Sequence, residues 1–501
     1  MNGQNQLKRW LTLGLFLVAA YFPLFLHLDS QVLENFDESF FALRAYHIAT
    51  TGEYLYHYNQ LPDGPAGTNL KPPLISGVQA LFFKMLGFNE LALRLPIALI
   101  VLTLLLLMIR LGRQHFRDPA LGYFSAMILL TSWGFIHVHV SRTGDHDAPL
   151  AAFGWLALMS LYLYLEGERK NPRWMYGLMA ALIAATLTKS VAGLFFAPGM
   201  FLYVLYKREF LHLLRDRHFW FAVGGYVVVV AGYYLFREWD HPGFLTDVGT
   251  GELGGHYLKT RDGHQWPYWW FAERLVTLKY QWWIGWFLAG GILAFHPRLR
   301  HFRDLAVLLW LAWLSWMLVI SGSQTKLEWY DASLYPVMAM MGAIVLSVLY
   351  QALLDWLGPN SVFWRYLVSL LFISVLFLPP YVQVFKKVYR PQDINHPGER
   401  YGELMEQVAR DFPAEKNYTI VYRSYSFHAL FYQLVYNQQK GYEISRKRKF
   451  EEMKEGETVM LCEKGGLAYA RKHFKVENIS AKDGCFIMRL LKRKEDVGPA
   501  E

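Results

Sequence analysis

The chain has 501 residues, 54% hydrophobic, 17% aromatic and only 18% charged, where soluble globular proteins carry about 25% charged residues. That deficit excludes an ordinary soluble enzyme. The net charge of +9 does not imply nucleic-acid binding, because the basic residues flank apolar runs and no nucleic-acid module is visible.

In chain order, Lys8 and Arg9 precede an apolar run over 10–26. Pro23 and the bulky residues beyond it make this an uncleaved first span rather than a signal peptide. Apolar segments then fall near 92–110, 120–139, 148–165, 173–188, 192–206, 219–236, 279–295, 304–320, 334–350 and 365–381, about eleven spans in all. The stretch 74–87 is apolar but short, and reads as a re-entrant or interfacial helix. With that parity, one face collects Arg110, Arg113 and Arg117, then Arg169, Lys170 and Arg173, then Lys207, Arg208, Arg215 and Arg217, then Arg298, Arg300 and Arg303. Positive charge marks the cytoplasmic side, so the acidic loops 28–73 and 140–147 and the long loop 237–278 face outward.

After residue 384 the composition becomes that of soluble sequence. Segments 418–423 and 457–462 read as strands, 426–436 as a helix, and 474–480 and 485–491 as further strands. The expected fold is mainly α: a polytopic membrane helical bundle of about 11–13 spans over 1–384, with a small C-terminal periplasmic α/β domain over 385–501. The chain is expected to act as a monomer in a bacterial inner membrane. Its only cysteines, Cys462 and Cys485, are expected as two buried thiols rather than a disulfide.

The chemistry-bearing residues all lie on the outward face. Asp37 and Glu38 follow the first span and lead into Ser39-Phe40-Phe41-Ala42 and Arg44. These acids suit either a carboxylate that takes an acceptor proton or holds a metal, or simple capping of a helix N-terminus. Lys71-Pro72-Pro73-Leu74 holds a lysine on a stiff turn at the membrane surface; its ammonium could bind a lipid phosphate, or snorkel to headgroups. The short loop Val140-Ser141-Arg142-Thr143-Gly144-Asp145-His146-Asp147 packs ionisable groups between two spans, where they are costly and mark a cavity. Asp145 and Asp147 could ligate a divalent cation; Arg142 paired with an aspartate would merely close the hairpin.

Thr188-Lys189, Arg261-Asp262-Gly263-His264 with Trp266-Pro267-Tyr268-Trp269-Trp270, and Lys326-Leu327-Glu328-Trp329-Tyr330 complete the outward set. Lysines and arginine supply cations for a phosphate, acids supply bases, and tryptophans and tyrosines supply flat faces for sugar rings. A phosphate-linked lipid donor fits, because no nucleotide-binding loop is visible.

In this order and spacing the residues resemble the C-type membrane glycosyltransferases. The nearest branch holds the protein O-mannosyltransferases and the lipid A aminoarabinose transferases. Arg94-Leu95-Pro96 belongs to the same pattern, whereas Phe40 and Leu70 depart from it. The resemblance implies an inverting sugar transfer from a polyprenyl-phosphate donor to a lipid A-type glycolipid, protein or glycan at the periplasmic face. It makes Asp37 the base, has Lys71 bind the donor phosphate and places Asp147 in the same cavity; the residues of the outward loops add Glu38 to the catalytic set and Arg44, Arg142, Lys189 and Lys326 to the cations expected to hold the donor phosphate. A divalent metal would be held by Asp145, Asp147 and His264. A flippase or transporter, which would carry charges at mid-membrane, and a non-catalytic scaffold are the alternatives.

Overall fold

A computed structural model describes residues 3–56, 58–59, 67–167, 171–254, 263–358, 362–389, 397–423 and 427–494. Arg169, Lys170, Arg261, Asp262 and Ser426, all used above, lie outside the described residues. The chain divides into two compact units: Met1–Leu26, Glu53–Gly77 and Leu95–Arg390 form one, and His27–Gly52, Val78–Arg94 and Pro391–Glu501 the other. The expected boundary at 384 therefore misses two early stretches, 27–52 and 78–94, which group with the tail.

The first unit is a multi-pass membrane bundle. Among the described residues of the chain, eight helices are long and apolar enough to cross a bilayer, and Leu74–Leu86, Pro119–Leu130, Ala197–Tyr206 and Ile284–Leu293 are shorter apolar helices. Three of those four correspond to expected full spans. The Pro119–Leu130 helix stops early because Thr131 and Ser132 turn their hydroxyls back onto the carbonyls of Met127 and Ile128, at 2.6 Å each. The fourth, Leu74–Leu86, has 13 residues; at 1.5 Å per residue it spans about 20 Å, short of a hydrocarbon core of about 30 Å.

Burial sorts the long helices. Asp147–Glu166 and Leu334–Leu357 are central, whereas Arg217–Asp240 and Val362–Val388 leave most of their apolar surface open. In water such surface would aggregate; here lipid covers it. Where helices meet, small residues permit close approach. A side chain at Gly290 would meet the Met341 carbonyl at 2.0 Å, and one at Gly112 the Gly122 backbone at 2.5 Å.

In the first unit β1 (Tyr58–Asn59) pairs antiparallel with β2 (Gly67–Thr68). In the second unit, β3 (Asn417–Val421), β4 (Glu443–Lys447), β5 (Thr458–Leu461), β6 (Phe474–Lys482) and β7 (Cys485–Arg493) form a sheet of order β4-β3-β5-β7-β6. Pairings of β3 with β4 and β5 are parallel, and those of β7 with β5 and β6 antiparallel. Val421, Val459, Leu461, Met488 and Leu490 are buried in its core. The four expected strands are present. The strand Glu443–Lys447 and the helices Pro397–Asp411 and Lys464–His473 were not expected; β4 escapes notice because Ser-Arg-Lys carries no apolar alternation.

Cys462 and Cys485 are joined by a disulfide, against the expectation of two thiols. Leu461 pairs with Phe486 across the antiparallel β5–β7 ladder, so the next residues outward are these two cysteines. Sequence spacing alone does not reveal that register. The bridge closes a separation of 23 residues. Replacing both cysteines by serine is therefore expected to lower the stability of this unit by about 3 kcal/mol, read as earlier loss of protease resistance of the tail in a urea series.

The same unit carries the Asp37–Thr51 helix, which packs on Phe427–Lys440. Phe40 and Phe427 stack at 5.5 Å, and the Tyr46 hydroxyl donates to Gln438. Behind it Arg94 is fully engaged. Its guanidinium gives Glu38 two bonds of 2.7 and 2.8 Å and the carbonyls of Leu28, Gln31 and Val32 bonds of 2.8–3.1 Å.

Candidate active site

Within the membrane unit a cavity of about 360 Å³ is walled by Lys71, Asp147, Lys189, Glu252, Ser323 and Tyr330 on its polar side. Leu150, Val191, Ala192, Phe195, Trp316, Val319 and Ile320 make the remainder apolar. Two ammonium groups and two carboxylates thus face one mostly hydrocarbon-lined space. This is the lining that an amphipathic ligand with an anionic head and a long apolar tail requires.

Local sequence explains each placement. Asp147 opens the Asp147–Glu166 helix, where the helix dipole favours an anion. Lys189 closes the Pro172–Lys189 helix, where it favours a cation. The Lys189 Nζ meets both Asp147 carboxylate oxygens at 2.6 and 2.7 Å and lies 5.5 Å from the Tyr330 ring centre. Ser190 follows with φ +53°, a left-handed conformation uncommon outside glycine and asparagine. Its hydroxyl pairs with that of Tyr234 at 2.8 Å, which holds the strained turn in place.

Lys71 sits on the Pro72-Pro73 turn ahead of the Leu74–Leu86 helix, as its prolines suggested. Its Nζ contacts Glu252 at 2.8 Å. Glu252 belongs to a Gly-Thr-Gly-Glu-Leu-Gly turn of π-helix over Gly249–Gly254. Gly251 packs closely there: a side chain would meet the Leu70 Cδ1 methyl at 2.5 Å and push it aside. Both ion pairs are mostly buried, so removing one partner leaves a charge without its mate. Lys189→Met is expected to cost about 3–5 kcal/mol of stability, and the double variant Asp147→Asn/Lys189→Met to recover most of it. Thermal midpoints of the three proteins in detergent would show this; a double variant no better than the single would break the coupling.

Lys326 is buried beside this site, its Nζ donating to the carbonyl of the cavity residue Ser323. Among the described residues no carboxylate pairs with it, and burial pushes its pKa below the ordinary lysine value. A buried ammonium satisfied only by a carbonyl is suited to accept an anion.

Other expected site residues have different surroundings. The Arg142 guanidinium donates to the carbonyls of Pro23 and Leu26, at 3.2 and 3.0 Å, and so caps the end of the first membrane helix. That is an anchoring geometry, and Arg142 is not on the cavity wall. Asp145 accepts from Thr143 and faces the His139 imidazole at 3.6 Å. Burial raises its carboxyl, but the His139 and Thr143 contacts outweigh that and hold it below the usual carboxylate range. His264 is exposed, and its backbone carbonyl accepts from the Lys326 N–H at 2.9 Å. Among the described residues no three His, Cys, Asp or Glu side chains are arranged to hold a metal ion. The expected set of Asp145, Asp147 and His264 is therefore not assembled.

Asp37, Glu38 and Arg44 belong to the second unit. Glu38 is fully buried, and its carboxylate holds Arg94 and accepts from the Glu34 N–H at 2.7 Å. It is a structural clamp, which revises its catalytic assignment. The Arg44 guanidinium is buried over the Phe40 ring at 4.3 Å. Asp37, one residue before Glu38, stays partly accessible at the first turn of its helix. Phe36 precedes it with φ +69°, a strained backbone for a bulky residue. Strain of this kind collects at functional sites.

The sequence model of the family described as dolichyl-phosphate-mannose-protein mannosyltransferase matches residues 70–235, which carry Lys71, Asp147 and Lys189. An uncharacterized protein of Aquifex aeolicus is 30% identical over 186 residues, 36% of this chain and 35% of that protein; the match thus spans about a third of that relative's length. ArnT from Cupriavidus metallidurans, solved with undecaprenyl phosphate bound, superposes with a TM-score of 0.71 at 16% identity, covering 95% of this chain and 97% of that one. This chain has the fold of a C-type membrane glycosyltransferase. The Archaeoglobus fulgidus oligosaccharyltransferase AglB, solved with an inhibitory peptide and a dolichol-phosphate, also matches, with a TM-score of 0.53 at 12% identity over 87% of this chain and 64% of that one.

Within this C-type glycosyltransferase fold, the sequence had pointed to three of the four charged wall residues, Lys71, Asp147 and Lys189. Glu252 was missed. Its only signal was the glycine density of 249–255, which marks a backbone fitted closely against a neighbour. Phe195 and Trp316 sit in apolar runs that look like any other membrane helix.

Proposed function

We propose that the protein transfers a sugar from a polyprenyl-phosphate donor to an acceptor at the periplasmic face of a bacterial inner membrane, with inversion at the anomeric carbon. The observation that carries this is the cavity that joins two lysine–carboxylate pairs to a wall of Phe195, Trp316, Val319 and Ile320. Phosphate oxygens would replace Glu252 on Lys71, and the first isoprene units would lie along the apolar wall. The acceptor hydroxyl or amine attacks the anomeric carbon while the bond from that carbon to the phosphate oxygen breaks. The leaving polyprenyl phosphate keeps the electron pair, and Lys71 stabilises the charge it gains. The acceptor proton passes to a carboxylate, the role that the resemblance gives Asp37.

The outward orientation rests on the basic loops at Arg110–Arg117, Lys207–Arg217 and Arg298–Arg303. Purified protein given a sugar-charged polyprenyl phosphate in detergent is expected to release the polyprenyl phosphate, which a flippase would not do. Mass spectrometry of envelope glycolipids and glycoproteins from cells with and without the gene would identify sugar and acceptor. If glycolipids, glycoproteins and free glycans are all unchanged, the transferase reading is lost.

A further inference from the structure

The membrane unit holds a second cavity, of about 430 Å³, towards the opposite end of the helix that Asp147 opens. It lies between the last turns of Glu90–Gln114, the second half of Asp147–Glu166 and the first turn of Pro172–Lys189. Arg110, Gln114, Asn171 and Arg173 line it and are exposed, whereas Leu111, Trp155, Met159 and Leu163 on its wall are buried. From Trp155 to Gly167 the wall follows one helix and its end. At 1.5 Å per residue that is about 18 Å, more than half of a hydrocarbon core of about 30 Å. The cavity thus reaches the depth of one leaflet.

Its two arginines are open to a ligand. The Arg110 Nε donates to the Gln114 side-chain oxygen at 2.9 Å, and Arg173 lies over the Trp174 ring at 4.8 Å. Among the described residues no carboxylate pairs with either. The Glu166 carboxylate at this end is taken by Lys207 at 2.8 Å and by the Tyr203 hydroxyl at 2.9 Å. Ser160, buried on the same wall, has a hydroxyl with no hydrogen-bond partner among the described residues. Arginines that only mark orientation need no cavity beneath them. Here two guanidinium groups stand over an apolar shaft that carries one hydroxyl, which suits a ligand with an anionic head and a hydrocarbon tail.

We propose that this cavity binds one anionic diacyl phospholipid from the leaflet at the basic end of the bundle. Its phosphate diester lies on Arg110 and Arg173, an ester carbonyl accepts from Ser160, and one acyl chain fills the apolar shaft. A free phosphate would leave that shaft without hydrocarbon, and a zwitterionic lipid would leave the two arginines without a net counter-charge. The site is separate from the donor cavity and does not rest on the transferase reading.

The test uses the full chain in detergent, given phosphatidylglycerol or phosphatidylcholine with identical chains, and counts retained lipid by native mass spectrometry. The wild type is expected to hold one phosphatidylglycerol with a preference of about tenfold or more over phosphatidylcholine. Arg110→Gln/Arg173→Gln should erase that preference. Arg298→Gln/Arg300→Gln, an exposed basic pair outside the cavity, should leave it unchanged. Leu156→Trp, which narrows the shaft while keeping both arginines, should abolish retention. Thermal midpoints without lipid identify any variant that has unfolded.

Equal retention of the two lipids would overturn the proposal. So would an unchanged preference in Arg110→Gln/Arg173→Gln, or an equal loss in both arginine pairs, since either puts the lipid on the basic loops at large. Full retention in Leu156→Trp would reduce the site to a surface headgroup contact and overturn it. Displacement of phosphatidylglycerol by equimolar inorganic phosphate would make this a free-anion site, and tighter retention of undecaprenyl phosphate would make it a second carrier-lipid site; both overturn it.

Discussion

Lys71→Ala is expected to lower kcat/KM for a polyprenyl-phosphate sugar by about 10²–10³-fold without unfolding the protein. Lys71 stands on a proline-stiffened turn, partly open to the cavity, with Glu252 as its contact at 2.8 Å. Its loss removes a positive charge where negative charge develops on the leaving phosphate, and it leaves the mostly buried Glu252 carboxylate on the cavity wall without that ammonium, so the thermal midpoint should fall as well. Lys71→Arg should retain part of the rate, because it keeps charge but changes shape and reach. Glu252→Gln should act in the opposite sense, tightening donor binding by about a few fold, since the carboxylate competes with phosphate for the same ammonium. Initial rates across donor concentrations separate these cases. A Lys71→Ala protein with wild-type kcat/KM would remove the phosphate role, and a Glu252→Gln protein with weaker binding would make Glu252 a positioning residue.

Asp37→Asn is expected to reduce kcat by about 10²–10⁴-fold while leaving donor affinity nearly unchanged. The two neighbouring acids of this loop differ sharply in surroundings. Glu38 is buried and bound to Arg94 and the Glu34 N–H, so Glu38→Gln should act on stability first. Asp37 is partly accessible and follows the strained Phe36. Its substitution removes a proton acceptor while keeping the size of the side chain. Rate and melting temperature measured on both variants read the two roles apart: normal turnover in Asp37→Asn eliminates it as the base, and a stable Glu38→Gln protein contradicts the clamp.

Adjacent residues with opposite assignments show where sequence reasoning stops. Asp37 and Glu38 are chemically alike and one position apart, so no local pattern separates them. Helical geometry does: successive residues point about 100° apart on a helix of 3.6 residues per turn, and only one of them meets Arg94, 56 positions away. Arg142 teaches the same lesson. Its spacing resembled a phosphate-binding position, but its guanidinium caps carbonyls of the first span.

What the residues indicated unaided was of two kinds. Hydrophobic runs long enough to cross a bilayer identified a polytopic membrane protein, because hydrocarbon imposes length and apolarity on any segment that spans it. Stiff or charged loops between those runs marked Lys71, Asp147 and Lys189, because an ionisable group so near lipid is tolerated only with a purpose. Tertiary structure alone decided which charges meet. It drew Glu252 onto Lys71 across 181 positions and Lys189 onto Asp147 across 42. It also set the β5–β7 register that joins Cys462 to Cys485. Pairings of that kind depend on where helices cross and strands align, and a linear chain carries no local record of either.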